Sequence, residues 1–272
     1  MTVITQRNGI NLYFDEALEK LTKAASIAKG SMDLGLSLLK QLNTGNQVEK
    51  EINTFIKDSG ATPAFLNYNG FPHSICYSKN EYIVHGTPDD DAIQEGDVIS
   101  LDLGVNYQGF CSDMARTIII GQPKDLKHQR LIEVAEESFY KALGVMKPDV
   151  TTGLIGYTIQ KHVISQQEHN KALFNVFPPF QGHGIGLKLH ESPGIPNFGF
   201  KEGGLAFKVG MSFCIEPVLI FNHLDRSLDT KDIIKEELPS GFLKFKTRDK
   251  SPSAHYENHV YLSETGPIIL TI

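Results

Sequence analysis

The stretch "VISLDLGVNYQGFCSDMARTIII" sets two aspartates, Asp102 and Asp113, inside segments that otherwise read as buried strand. Strand-forming residues flank "NYQG", whose Asn and Gly suit a hairpin loop. A loop centred between Tyr107 and Gln108 puts Asp102 directly opposite Asp113. Opposed side chains in such a pair lie ~4.5–5.5 Å apart at Cβ, and like charges there destabilise the hairpin unless something positive stands between them. Any fold that keeps this hairpin has to bring positive charge to it.

Later segments offer partners for those carboxylates. "GHGIGLKLHESPGIPNFG", "GMSFCIEPVLI" and "SAHYENHVYLSETGPIILT" each set a His or an acid in a Gly-rich or apolar run. His183 lies between Gly182 and Gly184, where missing side chains let another backbone or a ligand come close. Glu216 interrupts "MSFCI" and "PVL", an expensive place to bury an acid without a partner, and Glu257 precedes "NHVYL". If these residues meet, four carboxylates and a neutral imidazole carry about four negative charges, which two divalent cations balance. Oxygen-rich ligands with one imidazole suit Mn, Fe, Co or Zn, whereas a cysteine-rich set would point to structural zinc. Two such ions ~3.5–4 Å apart make bound water a nucleophile near neutral pH. Spacing alone does not establish that the residues converge.

The rest of the chain reads as a single α+β domain over residues 1–272, with strands gathered at its centre. Helical periodicity runs from Asp15 to about Leu42, and a second helix ends at Gly60, so two helices are expected before the first strands. Two more helical patterns, "DLKHQRLIEVAEESFYKALGVM" and "TTGLIGYTIQKHVISQQ", open the second half, followed by Gly-rich strands from about Val176. The order of elements recurs without a residue-level repeat. The polar stretch from Phe221 to about His255 fits a long excursion between two strands, with no chemistry assigned to it. A net charge of -6 argues against nucleic acid as a partner. No run approaches a membrane span, and "MTVITQRNGI" lacks the pattern of a signal peptide, so the expected location is the cytosol. Cys76, Cys111 and Cys214 are too scattered for a disulfide framework, in keeping with a reducing compartment.

"GFPHSICYSKNEYIVHGTPDD", "GDVISLDLGVNYQGFCSD", "GHGIGLKLHESP", "VGMSFCIEP" and "HYENHVYLSETG", in this order, resemble the motifs of type I methionine aminopeptidases, members of the pita-bread metallopeptidases. The resemblance covers most of the chain. It implies a pseudo-twofold fold with a curved central antiparallel sheet flanked by helices, and removal of the initiator methionine from new polypeptides. It also implies that Asp102, Asp113, His183, Glu216 and Glu257 bind two divalent ions, with Asp113 and Glu257 shared. Glu216 would serve as general acid/base, taking a proton from the attacking water and passing it to the leaving amine. His190 would bond the scissile carbonyl and His85 the peptide nitrogen. Tyr68, Phe71, Cys76 and Leu189 would line the slot for the methionine side chain.

Some positions depart from the pattern. Leu189 stands where many relatives carry Phe, Asn69 where bacterial ones commonly carry His, and the chain has no Trp. "CSDMART" is closer to the proline-specific branch of the fold, which keeps an Xaa-Pro aminopeptidase or dipeptidase as the alternative, with a non-catalytic peptide-binding homologue behind it. Against that branch, the chain is expected to lack the extra N-terminal domain common among aminopeptidase P enzymes. The short interval between His183 and Glu216 leaves no room for the helical insertion of type II enzymes. Cys111 and Cys214 fall two residues before Asp113 and Glu216, so alternation turns each toward its acidic neighbour's face, although small buried hydrophobes is the favoured reading of both. The partners implied are N-terminal segments of nascent or short peptides, with the ribosome a further candidate, and the chain is expected to be a monomer.

Overall fold

The computed structural model describes residues 2–5, 9–41, 44–170, 174–221 and 232–272. A short hairpin, β1 (Thr2–Thr5) and β2 (Asn11–Phe14), precedes the first helix, so strands come earlier than the helical periodicity implied. Helices α1 (Asp15–Leu39) and α2 (Gly45–Asp58) follow; the first ends at Leu39, with Lys40 and Gln41 already in a turn, short of the expected end near Leu42, which itself falls outside the described residues. Then come β3 (Thr62–Pro63), β4 (Cys76–Lys79), β5 (Tyr82–Val84), β6 (Val98–Tyr107) and β7 (Phe110–Ile119). The second half begins with α3 (Leu126–Gly144) and α4 (Thr152–Asn170), then β8 (Phe174–Val176), β9 (Gly182–Gly184), β10 (Glu191–Ile195), β11 (Ser212–Ile215) and β12 (Val218–Phe221). It closes with β13 (Ile233–Glu237), β14 (Leu243–Thr247), β15 (Ser253–His255), β16 (Glu257–Ser263) and β17 (Gly266–Ile269). No helix among the described residues is long and apolar enough to cross a membrane.

Local chemistry explains the helices. In α1 a face of Ala17, Leu21, Ala24, Ala25, Ala28 and Met32 is buried, and its small residues let the helix lie close to the sheet. At Gly35 an added Cβ would stand 2.5 Å from Leu101 Cδ2, so the approach is tightest there. Thr44 caps α2 through a reciprocal box with Gln47, and the Asp125 carboxylate accepts from Lys127 N at the start of α3. Two apolar cores result, one between α1, α2 and β6, the other under α3 and α4.

The principal sheet runs β10-β9-β11-β16-β7-β6-β3, with β17 also on β16 and β4 also on β6. Its centre is the β6–β7 hairpin, where the sequence reading needs correction. Tyr107 pairs with Phe110, so the turn is Gln108–Gly109, with φ of 50° and 86°. Two successive positive φ values give a mirror-image turn whose twist matches that of the strands, and Gly109 takes the larger one without strain. Asp102 therefore faces Ala115 and Asp113 faces Gly104; the two acids are diagonal neighbours rather than an opposed pair. Because the register moves by an even step, both still point to one face. The diagonal also separates them, to ~7–8 Å at Cα.

The polar stretch after β12 is not a bare excursion. Residues 222–231 lie outside the described residues, but β13 and β14 form a hairpin that pairs with β5. Its turn carries Leu238 and Phe242 onto an apolar cluster with Phe65, Phe71 and Leu189.

Candidate metal centre

Five adjacent strands of the sheet, β9, β11, β16, β7 and β6, each deliver one acid or imidazole to a shared face. His183 is the middle residue of β9, Glu216 follows the last residue of β11, Glu257 opens β16, and Asp113 and Asp102 sit on β7 and β6. Ala115 pairs with Asp102 on one side and Glu257 on the other, so its methyl is all that stands between those carboxyls in the row. Close strand packing at His183 depends on its neighbours: a Cβ on Gly182 would meet Cys214 O at 2.2 Å, and one on Gly184 would meet Ser192 O at 2.4 Å.

The donor atoms lack partners. Among the described residues, no hydrogen bond reaches Asp102 Oδ1, Asp113 Oδ1, Glu257 Oε1 or His255 Nε2, all of them buried. Buried polar atoms are rarely left so, which calls for a ligand here. Burial, followed by mutual repulsion, pushes Asp113, Glu216 and Glu257 well above the ordinary carboxyl range. Burial raises Asp102 to about 7. His183 is pushed down to about 3, chiefly by burial, and is a neutral ring. Its Nδ1 donates to Gly184 O at 2.9 Å, which leaves the Nε2 lone pair 3.6 Å from Glu216 Oε1. Crowded acids and a pre-oriented neutral imidazole are a donor set that fits divalent cations.

The cluster floors a cavity of about 440 Å³. Every site residue singled out in the sequence lines it: Asp102, Asp113, His183, Glu216, Glu257, His85, His190, Tyr68, Phe71, Cys76 and Leu189. Phe65, Phe242 and His255 line it too and were missed, because nothing near them in the chain distinguishes an aromatic or a His at the site from one in a core. Phe242 packs its ring 4.9 Å from both Phe71 and His85, filling the mouth in a chain without Trp. The cysteines divide. The Cys214 sulfur lies within 4.8 Å of a Glu257 carboxyl oxygen and Cys76 pairs with Asp102 across β4 and β6, whereas Cys111 Sγ accepts from Asn106 Nδ2 at 3.3 Å.

Two further histidines hold defined orientations. His85 occupies a positive φ of 62°, a strained value for a residue with a Cβ, and its Nδ1 donates to Leu243 O at 3.1 Å. Burial lowers it to about 4, so the neutral ring offers Nε2 as an acceptor. His190 Nδ1 lies 2.7 Å from the Tyr68 hydroxyl, and its ring stands edge-on to that of His183 at 4.2 Å. When Tyr68 donates in that bond, the ring proton of His190 is on Nε2. Another residue without a sequence signal, Tyr13 of β2, anchors the loop carrying Leu189 and His190. Its hydroxyl accepts from Leu187 N at 3.1 Å and donates to Glu191, whose Oε1 also accepts from Lys188 N. Gly186 leaves the space for that hydroxyl.

Residues 19–264 match the model of metallopeptidase family M24. The chain belongs to this metallopeptidase family. It is 33% identical over 262 residues to the methionine aminopeptidase of Mycoplasma capricolum, covering 96% of this chain and 98% of that one. The crystal structure of the methionine aminopeptidase from Rickettsia prowazekii superposes with a TM-score of 0.85 at 33% identity, covering 97% of this chain and 100% of that one. The prolidase from Pyrococcus furiosus shares the fold at a TM-score of 0.70 and 22% identity, covering 96% of this chain and 65% of that one. The architecture is the expected pita-bread fold, and the family is one of hydrolases that use divalent metals.

Proposed function

We propose that this chain is a methionine aminopeptidase that removes the N-terminal methionine of nascent or short peptides with two divalent cations, chosen among Mn, Fe, Co and Zn. The observation that carries the reading is the convergence of Asp102, Asp113, His183, Glu216 and Glu257, with orphaned buried donor atoms, on the floor of a half-apolar cavity. Asp102, Asp113, His183, Glu216 and Glu257 would hold the two cations, Asp102 on the side of one and His183 and Glu216 on the side of the other, with Asp113 and Glu257 serving both. Bound there, the cations supply an activated water and a polarised carbonyl.

This chain's own groups supply the rest. Glu216 carries a proton at its carboxyl from the water to the departing amine. His190 donates from Nε2 to the scissile carbonyl oxygen, and His85 accepts at Nε2 from the peptide N–H. Tyr68, Phe71, Cys76, Leu189 and Phe242 enclose an unbranched apolar side chain, and packing about a flexible thioether suits this wall. The free α-amine of a substrate would bind a cation or an acidic group of the floor next to the scissile bond, which restricts cleavage to the first residue. The whole chain is read as one catalytic domain, acting as a monomer in the cytosol.

The test is a panel of Met-Ala, Met-Ser, Met-Lys and Ala-Pro peptides with added Mn or Co. Release of Met from Met-Ala and Met-Ser, with Ala-Pro untouched, is the expected result. Cleavage confined to Ala-Pro moves the chain to the proline-specific class, and no cleavage of any peptide overturns the enzymatic reading.

A further inference from the structure

His255 is the one imidazole of the cavity floor to which the family resemblance gives no role. It ends β15, is 4% exposed, and its backbone is clamped: His255 N donates to Thr117 Oγ1 at 2.8 Å, and that hydroxyl is 3.0 Å from His255 O. The main chain is fixed there, and the buried ring lines the cavity floor. Nε2 stands 3.7 Å from Glu216 Oε2 and 3.7 Å from Glu257 Oε2, too far for a hydrogen bond to either, and it has no partner among the described residues.

Those distances have another meaning. Donor atoms that share one first-row cation at about 2.0–2.2 Å lie no more than about 4.4 Å apart, and commonly nearer 3–3.7 Å. A ring nitrogen of His255, a carboxyl oxygen of Asp102 and one of Glu257 all lie within 4.8 Å of one another. On the opposite side of the cluster, His183, Cys214 and Glu257 form a second such group. Glu257 belongs to both, and each group contains one imidazole. We infer that His255 is a ligand through Nε2 to the cation held by Asp102, so that the centre carries one imidazole at each of its two positions. This rests on the dinuclear centre proposed above and adds a ligand to it.

The imidazole count distinguishes the two ideas. The full-length protein is loaded with two equivalents of Co(II), and proton spectra in H2O and D2O count the exchangeable, hyperfine-shifted imidazole N–H signals. Nε2 ligation leaves the proton of each ligating ring on Nδ1, so two signals are expected in the unaltered chain and one in His255→Gln. Competition with a chelator should show one cobalt equivalent weakened at least tenfold in His255→Gln and the other unchanged. A single signal in the unaltered protein, or two that persist in His255→Gln, overturns the inference. Should His255→Gln fail to fold, the count in the unaltered protein decides alone. Two cobalt ions bound with one imidazole signal would leave the proposed function standing, whereas failure to bind cobalt would bring down both.

Discussion

His183 Nε2 faces Glu216 Oε1 at 3.6 Å, and the ring is held in that attitude by its Nδ1 bond to Gly184 O. The two residues come from strands that pack closely because Gly182 carries no Cβ to meet Cys214 O, so the contact is built into the sheet. Replacing His183 by Ala should weaken one metal equivalent at least tenfold and leave the other nearly intact. Calorimetric titration with Mn measures both; equal weakening of the two would contradict the assignment of His183 to a single position.

Glu216→Gln keeps the shape and removes the proton carrier. Turnover of Met-Ala should fall by about 10²–10⁴-fold. Peptide binding, followed by equilibrium titration with a non-hydrolysable Met analogue, should survive. A variant with unimpaired turnover would remove Glu216 from the acid/base role.

Without metal, the stability of the protein should fall as pH rises from about 6.5 to 8. Asp102 stands at about 7 in the folded chain against an ordinary 3.8, so the folded state binds more protons than the unfolded one between those values. Its contribution is fully present below the unfolded value and is lost as pH climbs through the folded one. Asp113, Glu216 and Glu257 shift in the same direction. The buried rings of His85, His183, His255 and His259, at about 3 to 4, act oppositely, but only below about 6.5 where the unfolded rings gain protons. Thermal melts across this window should show the slope with chelator and lose it with saturating Mn, which adds ~2.7 kcal/mol at a hundredfold excess over Kd. A flat apo profile would argue against the crowded carboxyl cluster.

Tyr13→Phe removes the hydroxyl that ties β2 to the loop of Leu189 and His190. Leu187 N and Glu191 then lose a partner, at a cost of about 1–3 kcal/mol. Melting temperature and kcat/KM for Met-Ala should both fall, while metal stoichiometry stays at its original value. Unchanged kinetics would show that the loop holds its place without this anchor.

Phe242→Ala opens the mouth of the cavity by removing the ring packed on Phe71 and His85. An aromatic contact of this kind is worth about 0.5–1.5 kcal/mol beyond burial, so KM for Met-Ala should rise about two- to twelvefold. A smaller effect on Ala-Ala than on Met-Ala would show that the ring acts on the Met side chain.

The acids, the imidazole and the glycines about it were legible one by one, because charge in apolar runs and Gly beside His are local anomalies. The helices were legible for the same reason: their periodicity and caps lie within each segment. The exact hairpin register was not, since it turned on whether Tyr107–Gln108 or Gln108–Gly109 takes the two positive φ values of the turn, a choice made by strand twist as much as by composition. Phe242 was missed because its importance depends on a hairpin pairing with β5 from far away in the chain.

By itself, then, the sequence determined which side chains carry unbalanced charge and which segments become helix or strand, since both are properties of neighbours along the chain. Only the tertiary structure decided that β9, β11, β16, β7 and β6 lie side by side, which turns scattered acids into one electrostatically crowded floor. It also decided that His255 joins them and that Phe242 and Tyr13 shape the walls. Strand order and long-range packing depend on burying whole faces at once, and no single segment records that.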